Sequence, residues 1–292
     1  MSNILLTGES GVGKEVIAQL IHNMSKRADK PFIAVNCSSY SDTLLNSELF
    51  GHEQGAFTGA YKSRAGKFEI ADQGTLFLDE IGDIDFTTQI KLLRTIENKT
   101  IERIGSNDLR KIDFRLISAT NRDLSGDVAS GRIREDFVYR ISTIVIHIPA
   151  LRERKEDLQS LIDFFIKNAE LENDSPIRGI EPDVQDFLLN YDYPGNIREL
   201  KNIIDRMVVL SSDGMINQDG LPILYNLGVK KVGNNSPFQR IIPLREYRDQ
   251  TEKEYLIWVM QQADGNVGDA ARMLSLSKRQ MYNKIRAYEL NK

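Results

Sequence analysis

The chain has 292 residues, of which 41% are hydrophobic and 27% are charged, and its formal net charge is −4. This length allows one sizeable core with smaller attached units, so we expect two or three domains. The only cysteine, Cys37, excludes a disulfide framework, and we expect it to fill the core. No apolar run approaches the roughly 18–20 residues that cross a bilayer, and no secretory leader is recognisable, so we expect a cytoplasmic protein.

Residues 1–150 alternate short apolar runs with amphipathic stretches. Strands that alternate with helices predict an α/β fold, with a mostly parallel sheet and helices on both of its faces. We predict strands at residues 4–6, 33–35, 76–78, 116–117 and 144–148. Helices are predicted through residues 16–21 and 90–96, the first with Val16, Ile17, Leu20 and Ile21 as its apolar face.

From residue 151 to about 225 the apolar periodicity is helical throughout, which predicts a small all-α domain. Its stripes are Leu158, Leu161, Ile162 and Phe165, then Val184, Phe187 and Leu188, then Ile197, Leu200, Ile203, Ile204, Met207 and Val208. Residues 226–246 are rich in Gly, Asn and charge without periodicity, so we expect a linker. Residues 247–292 are predicted to be helical again.

A glycine-rich turn follows the first predicted strand, with the residues Gly8, Glu9, Ser10, Gly11, Val12, Gly13, Lys14 and Glu15. Between a strand and a helix, such a turn surrounds an anion with backbone N–H groups and a helix N-terminus. Lys14 is then placed to reach the β- and γ-phosphates of a nucleoside triphosphate. Glu15 stands where the common motif has a Ser or Thr that binds magnesium. The alternative is a plain strand–helix connection.

Two carboxylates, Asp79 and Glu80, end the predicted strand at residues 76–78. Asp79 is placed to hold Mg²⁺, and Glu80 to orient and polarise the attacking water. The alternative is that both merely cap the following helix. No Asn-Lys-x-Asp motif occurs, which favours ATP over GTP.

A hexapeptide between these two elements consists of Gly55, Ala56, Phe57, Thr58, Gly59 and Ala60. Its small residues flank one aromatic and one hydroxyl, which favours a mobile loop that presents Phe57 to a partner. The alternative is a structural turn with Phe57 packed into the core. Together with the preceding residues 48–53, the hexapeptide resembles the loop with which bacterial enhancer-binding proteins, the AAA+ activators of sigma-54 RNA polymerase, contact their partner.

The resemblance extends over essentially the whole chain and implies roles for further residues around the nucleotide. The family's phosphate loop itself has Glu after Lys, so Glu15 fits the family pattern. Asn36 matches the asparagine that holds the catalytic glutamate, here Glu80, in an inactive position until the γ-phosphate is sensed. Thr120 and Asn121 match the first sensor.

The resemblance also implies a ring assembly, since family members work as hexamers. Arg134 and Arg140 match arginines presented to the nucleotide of a neighbouring subunit, where they stabilise charge on the transferring phosphate. Arg198 matches the second sensor on the helical lid. Arg152 and Arg154 are interpreted as solvated charges at a helix start.

The C-terminal residues resemble a Fis-type helix-turn-helix that binds double-stranded DNA. Two short helices are joined by a tight turn, with Ser275 where Gly is usual, so we expect slight strain there. We expect Lys278, Arg279, Gln280 and Asn283 to face the major groove, and Lys284 and Arg286 to meet phosphate. Such modules bind paired half-sites as dimers.

Two functions remain open on the sequence. The first is an enhancer-bound ATPase that remodels sigma-54 RNA polymerase. The second is a nucleotide-regulated DNA-binding protein, a repressor or defective activator without ring assembly. The hexapeptide, the carboxylate pair and the two arginines favour the first. The second is favoured because family members have further residues before the phosphate loop that help enclose the adenine, so we expect either a truncated start or an unregulated short form.

Overall fold

The computed structural model describes residues 2–173, 176–211, 213–217, 252–253, 255–256, 259–260, 263 and 266–288. The chain forms two compact units, Met1–Asn226 and Leu227–Lys292. The predicted linker, residues 226–246, lies outside the described residues. In the described part of the chain, no helix is long and apolar enough to cross a membrane.

A parallel sheet lies at the centre of the first unit. Its strands are β1 (Ile4–Thr7), β2 (Phe32–Asn36), β5 (Thr75–Asp79), β8 (Arg115–Thr120) and β9 (Ile144–His147). They pair in the order β2-β5-β8-β1-β9, and every pairing is parallel. The carboxyl ends of these strands therefore meet along one edge, where ligands of open α/β sheets bind.

Helices cover both faces of this sheet, as the sequence predicts. They are α1 (Lys14–Asn23), α2 (Asp42–Phe50), α3 (Lys67–Ile70), α4 (Phe86–Asn98), α5 (Leu124–Ala129) and α6 (Glu135–Ile141). Leu76 and Leu78 pack with α2, α4 and α6, whereas Phe77 packs with α1. Successive residues of a strand point to opposite faces, so both faces are buried.

The predicted apolar face of α1 is wrong in two of its four residues. The side chains of Val16 and Leu20 are 71% and 50% exposed. The helix instead turns Ala18 and His22 inward, and the Nδ1 atom of His22 is hydrogen-bonded to Thr75 Oγ1 at 2.9 Å. Because Ala18 is small and the imidazole of His22 is hydrogen-bonded inside the protein, the helix can approach the sheet closely. Neither residue ranks as strongly apolar, so the apolar periodicity of the sequence does not identify them.

Two short antiparallel strand pairs are inserted into this unit. The first joins β3 (Gly51–His52) to β4 (Arg64–Ala65) and carries the hexapeptide between its strands. The second joins β6 (Thr100–Ile101) to β7 (Arg110–Lys111). Backbone hydrogen bonds connect the two insertions, since Glu53 N donates to Ile104 O and Ile104 N donates to Gly51 O.

A helical lid completes the first unit. It contains α7 (Leu158–Asn173), α8 (Pro182–Asn190) and α9 (Asn196–Val209), with short parallel strands β10 (Gly179–Ile180) and β11 (Met215–Ile216). The predicted stripes form one apolar core around the fully buried Tyr193. This core is separate from the two cores of the sheet.

The second unit is a small helical bundle with helices α10 (Val267–Met273) and α11 (Lys278–Ala287). Its buried core contains Leu256, Val259, Ala263, Ala270, Ala271, Met281 and Ile285. Ser275, in the turn between the two helices, has φ 53°, the left-handed conformation that its glycine-like position predicts.

Candidate functional site

The phosphate loop runs from β1 into α1 along the carboxyl edge of the sheet. Gly11 has φ 80°, and a Cβ atom there would lie 2.3 Å from the carbonyl oxygen of Gly195 in the lid. At Gly8 a Cβ atom would lie 2.5 Å from the carbonyl oxygen of Ile148. Only glycine permits this backbone path, so the glycines bring the loop against the rest of the protein.

Lys14 begins α1 and is 6% exposed. Its Nζ donates to the carbonyl oxygens of Gly8 and Glu9, each at 3.0 Å. The loop thus folds around its own ammonium group, and the first N–H groups of α1 point to the same place. Both features favour an anion at this position.

Asp79 and Glu80 lie at the same edge of the sheet, at the end of β5. Glu80 adopts φ 53°, and its Oε2 atom is buried without a hydrogen-bond partner among the described residues. Burial, followed by the Asp79 charge, raises the pKa of Glu80 above its usual value, while Lys14 acts in the opposite direction. A partly buried carboxylate with a raised pKa, within the electrostatic influence of Lys14, is typical of a general base.

Asn36 does not hold Glu80 in this structure. The register places Asn36 opposite Asp79 on the neighbouring strand. Its Oδ1 atom, however, accepts from Ser38 N at 3.0 Å and from Ser38 Oγ at 2.8 Å, as the cap of a 3-10 turn. The inactive position of Glu80 that the resemblance implies is therefore not the arrangement seen here.

Thr120 is the last residue of β8, and Asn121 follows it, beside the carboxylate pair. Thr120 is fully buried, and its Oγ1 atom accepts from Arg122 N at 3.1 Å. β8 pairs with β5, which Glu80 directly follows, and the backbone N–H of Asn121 acts to lower the pKa of Glu80. The strand that carries these two residues therefore also positions the candidate base.

Arg134 and Arg140 lie at the two ends of α6, with Arg134 as its N-cap residue and Arg140 in its last turn. Arg134 Nη2 pairs with Asp136 Oδ2 at 2.7 Å, and its guanidinium lies 5.2 Å from the centre of the Phe86 ring. Arg140 is exposed, while its backbone oxygen accepts from Asn3 Nδ2 at 2.7 Å. One helix thus presents both guanidinium groups at the surface.

The lid contacts the phosphate loop through several polar side chains. Arg198 Nη1 donates to Ser10 Oγ at 3.2 Å. The interpretation of Arg152 and Arg154 as solvated charges is wrong. Arg152 makes a two-pronged ion pair with Glu9, and Arg154 Nη2 donates to the carbonyl oxygen of Val12 at 3.0 Å. Sequence spacing could not show these contacts, because more than 140 positions separate the partners in the chain.

The hexapeptide forms a compact turn between β3 and β4. Gly55 N donates to Ala60 O at 2.9 Å, and Ala60 N donates to Phe57 O at 3.0 Å. Thr58 is exposed, whereas Phe57 is half-buried with its ring 5.1 Å from the His52 ring, edge to face. Phe57 is thus neither fully exposed nor part of the main core, and Thr58 is at the tip.

A charged network at the base of this turn escaped the sequence analysis. Arg103, from the second insertion, pairs with Glu69 at 2.7 Å and with Glu53 at 3.0 Å. Arg110 reaches the same two carboxylates at 3.1 and 3.5 Å. The Arg103 guanidinium lowers the pKa of Glu69, so the network remains charged at neutral pH. These pairs join the two insertions at the foot of the hexapeptide.

In the second unit, α11 exposes Lys278, Arg279, Asn283 and Arg286. Two of the predicted DNA contacts already have partners within the unit. Gln280 Oε1 accepts from Ser277 N at 2.9 Å in a capping box at the start of the helix, and Lys284 forms an ion pair with Glu252.

Profiles of three known families match the chain in succession. The sigma-54 interaction domain matches residues 1–147, the AAA+ ATPase lid domain residues 152–232, and the Fis family of bacterial regulatory proteins residues 247–288. The chain belongs to the sigma-54-dependent transcriptional activators. The lid contacts and the hexapeptide turn are thus features of an AAA+ domain with an attached helix-turn-helix.

Curated relatives of this chain share about two fifths of its residues. The transcriptional regulatory protein ZraR of Salmonella typhi is 42% identical over 284 residues, covering 97% of this chain and 63% of ZraR. The Nif-specific regulatory protein of Herbaspirillum seropedicae is 43% identical over 305 residues, covering 96% of this chain and 56% of the relative. The activator chain therefore spans less than two thirds of the length of these relatives.

Solved structures show the same architecture. NtrX from Brucella abortus, solved in complex with ATP, aligns with a TM-score of 0.70 and 34% identity. The alignment covers 98% of this chain and 64% of that NtrX chain. The predicted α/β fold with a helical lid is confirmed for this chain.

Proposed function

We propose that this chain is an ATP-hydrolysing transcriptional activator that binds upstream enhancer DNA and remodels the sigma-54 RNA polymerase holoenzyme. One observation carries the proposal. The buried Lys14, the Asp79–Glu80 pair and the lid residue Arg198 all lie around one phosphate loop at the carboxyl edge of the parallel sheet. The solved NtrX complex with ATP, from the same fold and at 34% identity, supports a nucleotide at this position.

The chemistry assigns separate tasks to the two carboxylates. Glu80 accepts a proton from the water that attacks the γ-phosphate, and its raised pKa makes it a better base than an ordinary glutamate. The Asp79 carboxylate offers the hard oxygen atoms that Mg²⁺ prefers, so Asp79 would hold the ion, which would offset phosphate charge when bound. Lys14 and Arg198 hold the phosphates in place. Thr120 and Asn121, at the carboxyl end of β8 beside β5, act as the first sensor.

Ring assembly follows from the two arginines of α6. Arg140 is exposed, and Arg134 is half-buried in an ion pair with Asp136, which it would exchange for the nucleotide of a neighbouring copy. An arginine supplied in this way stabilises the charge of the transition state. We therefore propose a homo-oligomer, from dimer to hexameric ring, in which hydrolysis requires assembly.

The partner contacts are assigned to two surfaces. The turn at residues 55–60 presents Thr58 at its tip and the edge of Phe57 beside it, and we propose that it engages sigma-54. In the second unit, the exposed residues of α11 suit the major groove and phosphates of double-stranded DNA. Of the basic residues there, Arg286 has a more available side chain than the ion-paired Lys284.

The test replaces Glu80, the proposed base, by glutamine, which has nearly the same size but cannot act as the base. For Glu80→Gln we expect an ATP Kd within about threefold of the original and hydrolysis at least about 100-fold slower, since a positioned base contributes that much. Below the raised pKa of Glu80, the unchanged chain loses its base by protonation, so its rate should fall on acidification at a higher pH than a free carboxyl would give. The measurements are labelled-nucleotide binding and phosphate release.

The matched control is Glu97→Gln, which changes an exposed carboxylate on α4 away from the loop. Both variants are assayed over a range of protein concentrations, because sites shared between subunits make specific activity rise with assembly. Undiminished hydrolysis by Glu80→Gln would remove Glu80 from its role. A flat concentration dependence would contradict the shared site.

A further inference from the structure

A polar cluster of Glu9, Arg152 and Asn196 joins the phosphate loop to the lid. Arg152 Nη1 and Nη2 donate to Glu9 Oε2 and Oε1 at 2.8 and 2.6 Å. Asn196 Nδ2 donates to Glu9 Oε2 at 3.0 Å. A carboxylate that accepts a bidentate guanidinium and an amide together is held in one orientation. Hydrogen bonds from Arg152, then from Asn196, lower the pKa of Glu9 to about 2.

Asn196 is the centre of this Glu9 cluster. It is fully buried and adopts φ 54°, a left-handed conformation that is sparsely populated outside glycine. Besides Glu9, its Nδ2 atom donates to the carbonyl oxygen of Ser10 at 3.0 Å, and its Oδ1 atom accepts from Leu151 N at 2.8 Å. One amide thus ties the phosphate loop, the start of the lid and the first residue of α9 together.

Arg198 lies two residues beyond Asn196, in the first turn of α9. Its backbone N–H donates to the carbonyl oxygen of Gly11 at 3.3 Å, and its side chain reaches Ser10 Oγ at 3.2 Å. Any change in the position of Asn196 shifts the start of α9, and with it the guanidinium of Arg198. The Glu9 cluster therefore controls where Arg198 lies relative to the loop.

The apolar core of the lid does not fix the position of Arg198 relative to the phosphate loop. The lid core and the two cores of the sheet are separate clusters in the described part of the chain. Apolar burial stabilises each body but sets their mutual orientation only weakly, because it is non-directional. The directional contacts at this junction are the hydrogen bonds and ion pair of the Glu9 cluster, the bond of Arg154 to Val12 O, and the bonds of Arg198 to Gly11 O and Ser10 Oγ.

We propose that Glu9 is a positioning residue that, through Arg152 and Asn196, fixes Arg198 against the phosphate loop for a bound nucleoside triphosphate. Both carboxylate oxygens of Glu9 already accept hydrogen bonds from Arg152 and Asn196, so we assign Glu9 no direct contact with phosphate. The proposal rests on the nucleotide site proposed above. It predicts that loss of Glu9 and loss of Arg198 damage the same interaction.

The experiment is a double-mutant cycle on the full chain with Glu9→Ala, Arg198→Ala and the double variant. We expect each single change to raise the KM for ATP by about tenfold, since a charge-assisted contact is worth about that much. The double variant should be no worse than the more affected single variant, within about twofold. A structural role for Glu9, independent of Arg198, would instead multiply the two effects.

Conservative and partner variants sharpen the result. Glu9→Gln retains an oxygen for Arg152 and Asn196 but loses the charge, so its KM should lie between those of the unchanged chain and Glu9→Ala. Arg152→Ala removes the same ion pair from the lid side and should reproduce Glu9→Ala, which keeps the test valid if Glu9→Ala does not fold. Lys155→Ala, which breaks an exposed pair with Asp192 within the lid, is the control and should leave KM unchanged.

The outcomes separate this inference from the proposed function. If the unchanged chain binds no ATP, the nucleotide site itself is wrong. If it binds ATP and the cycle is additive, or Glu9→Ala and Arg152→Ala both leave KM within twofold, the positioning role is overturned. Thermal unfolding of every variant is recorded beside the kinetics, because the inference predicts a change in KM without a matching loss of stability.

Discussion

Two glycine-rich loops of this protein use glycine for different reasons. In the phosphate loop, Gly11 combines a positive φ with a backbone approach that leaves no space for a Cβ atom, 2.3 Å from Gly195 O. In the hexapeptide, Gly55 and Gly59 have φ values of 81° and 103°, and in the described part of the chain nothing lies within 4 Å of a Cβ placed there. Gly8 and Gly11 of the first loop pack against other segments, whereas Gly55 and Gly59 face open space and are needed only for their positive φ.

This difference between the two loops matches the functions proposed for them, nucleotide binding for the phosphate loop and contact with sigma-54 for the hexapeptide. A loop that cradles phosphates works when it is rigid before the ligand arrives, and the lid side chains on residues 9–12 supply that rigidity. A loop that engages a second protein needs open space and an exposed tip, which the hexapeptide has at Thr58. Composition alone makes both loops look alike, while their surroundings separate them.

The largest expected effect comes from Gly11→Ala. The new methyl group would collide with the lid backbone in a conformation that already disfavours alanine, so either the loop or the lid must move. We expect nucleotide affinity to fall by about 100-fold or more, since strain of about 3 kcal/mol acts directly on the site. Titration with a fluorescent nucleotide measures this. An affinity within threefold of the original would mean that the lid yields freely.

The second largest effect is expected for Thr58→Ala, which should impair transcription but not ATP hydrolysis. Thr58→Ala removes an exposed hydroxyl and disturbs no buried contact, so we expect ATP hydrolysis within about twofold of the original, as for other surface changes. Open-complex formation at a sigma-54 promoter should be abolished, because the tip of the partner loop is altered. Ser63→Ala, an exposed hydroxyl between the hexapeptide and β4, serves as the control. Transcription that survives Thr58→Ala would show that this tip is not the coupling element.

The smallest effect is expected for Gly59→Ala. Only the positive φ opposes alanine there, at a cost of about 1–2 kcal/mol in the free energy of unfolding. Nucleotide affinity should not change. Gly131→Ala is the matched control. Gly131 has φ 71° and equally open surroundings, and it lies outside the hexapeptide. Denaturant unfolding compares the two variants. A loss of nucleotide affinity in Gly59→Ala alone would contradict the separation of the two loops.

The sheet and the lid core were predictable because their residues carry strong periodic patterns. Buried runs such as residues 76–78 form central strands, and the stripe from Leu200 to Val208 forms the face of α9. The face of α1 was not predictable in the same way. There Ala18 and His22 contact the sheet, while Val16 and Leu20 are exposed. Periodicity ranks residues by apolarity, whereas close packing selects them by size and by the partner each polar atom finds.

The local sequence also did not predict the hydrogen-bond and ion-pair partners of several polar residues. Gln280 caps its own helix, Lys284 pairs with Glu252, and Asn36 caps a 3-10 turn. Each of these side chains has a partner that competes with its predicted role. The roles of Asn36 at Glu80 and of α11 on DNA stay predictions.

By itself, the sequence determined the order of the strands along the chain, the phosphate loop, the carboxylate pair and the family. These depend on short motifs and on periodicity, which neighbouring residues encode. Only the tertiary structure decided that Arg152 and Asn196 meet Glu9, since the loop and the lid are far apart in the chain and approach only when both have folded. It also decided which glycines have no room for a side chain, because that depends on the backbone of another segment.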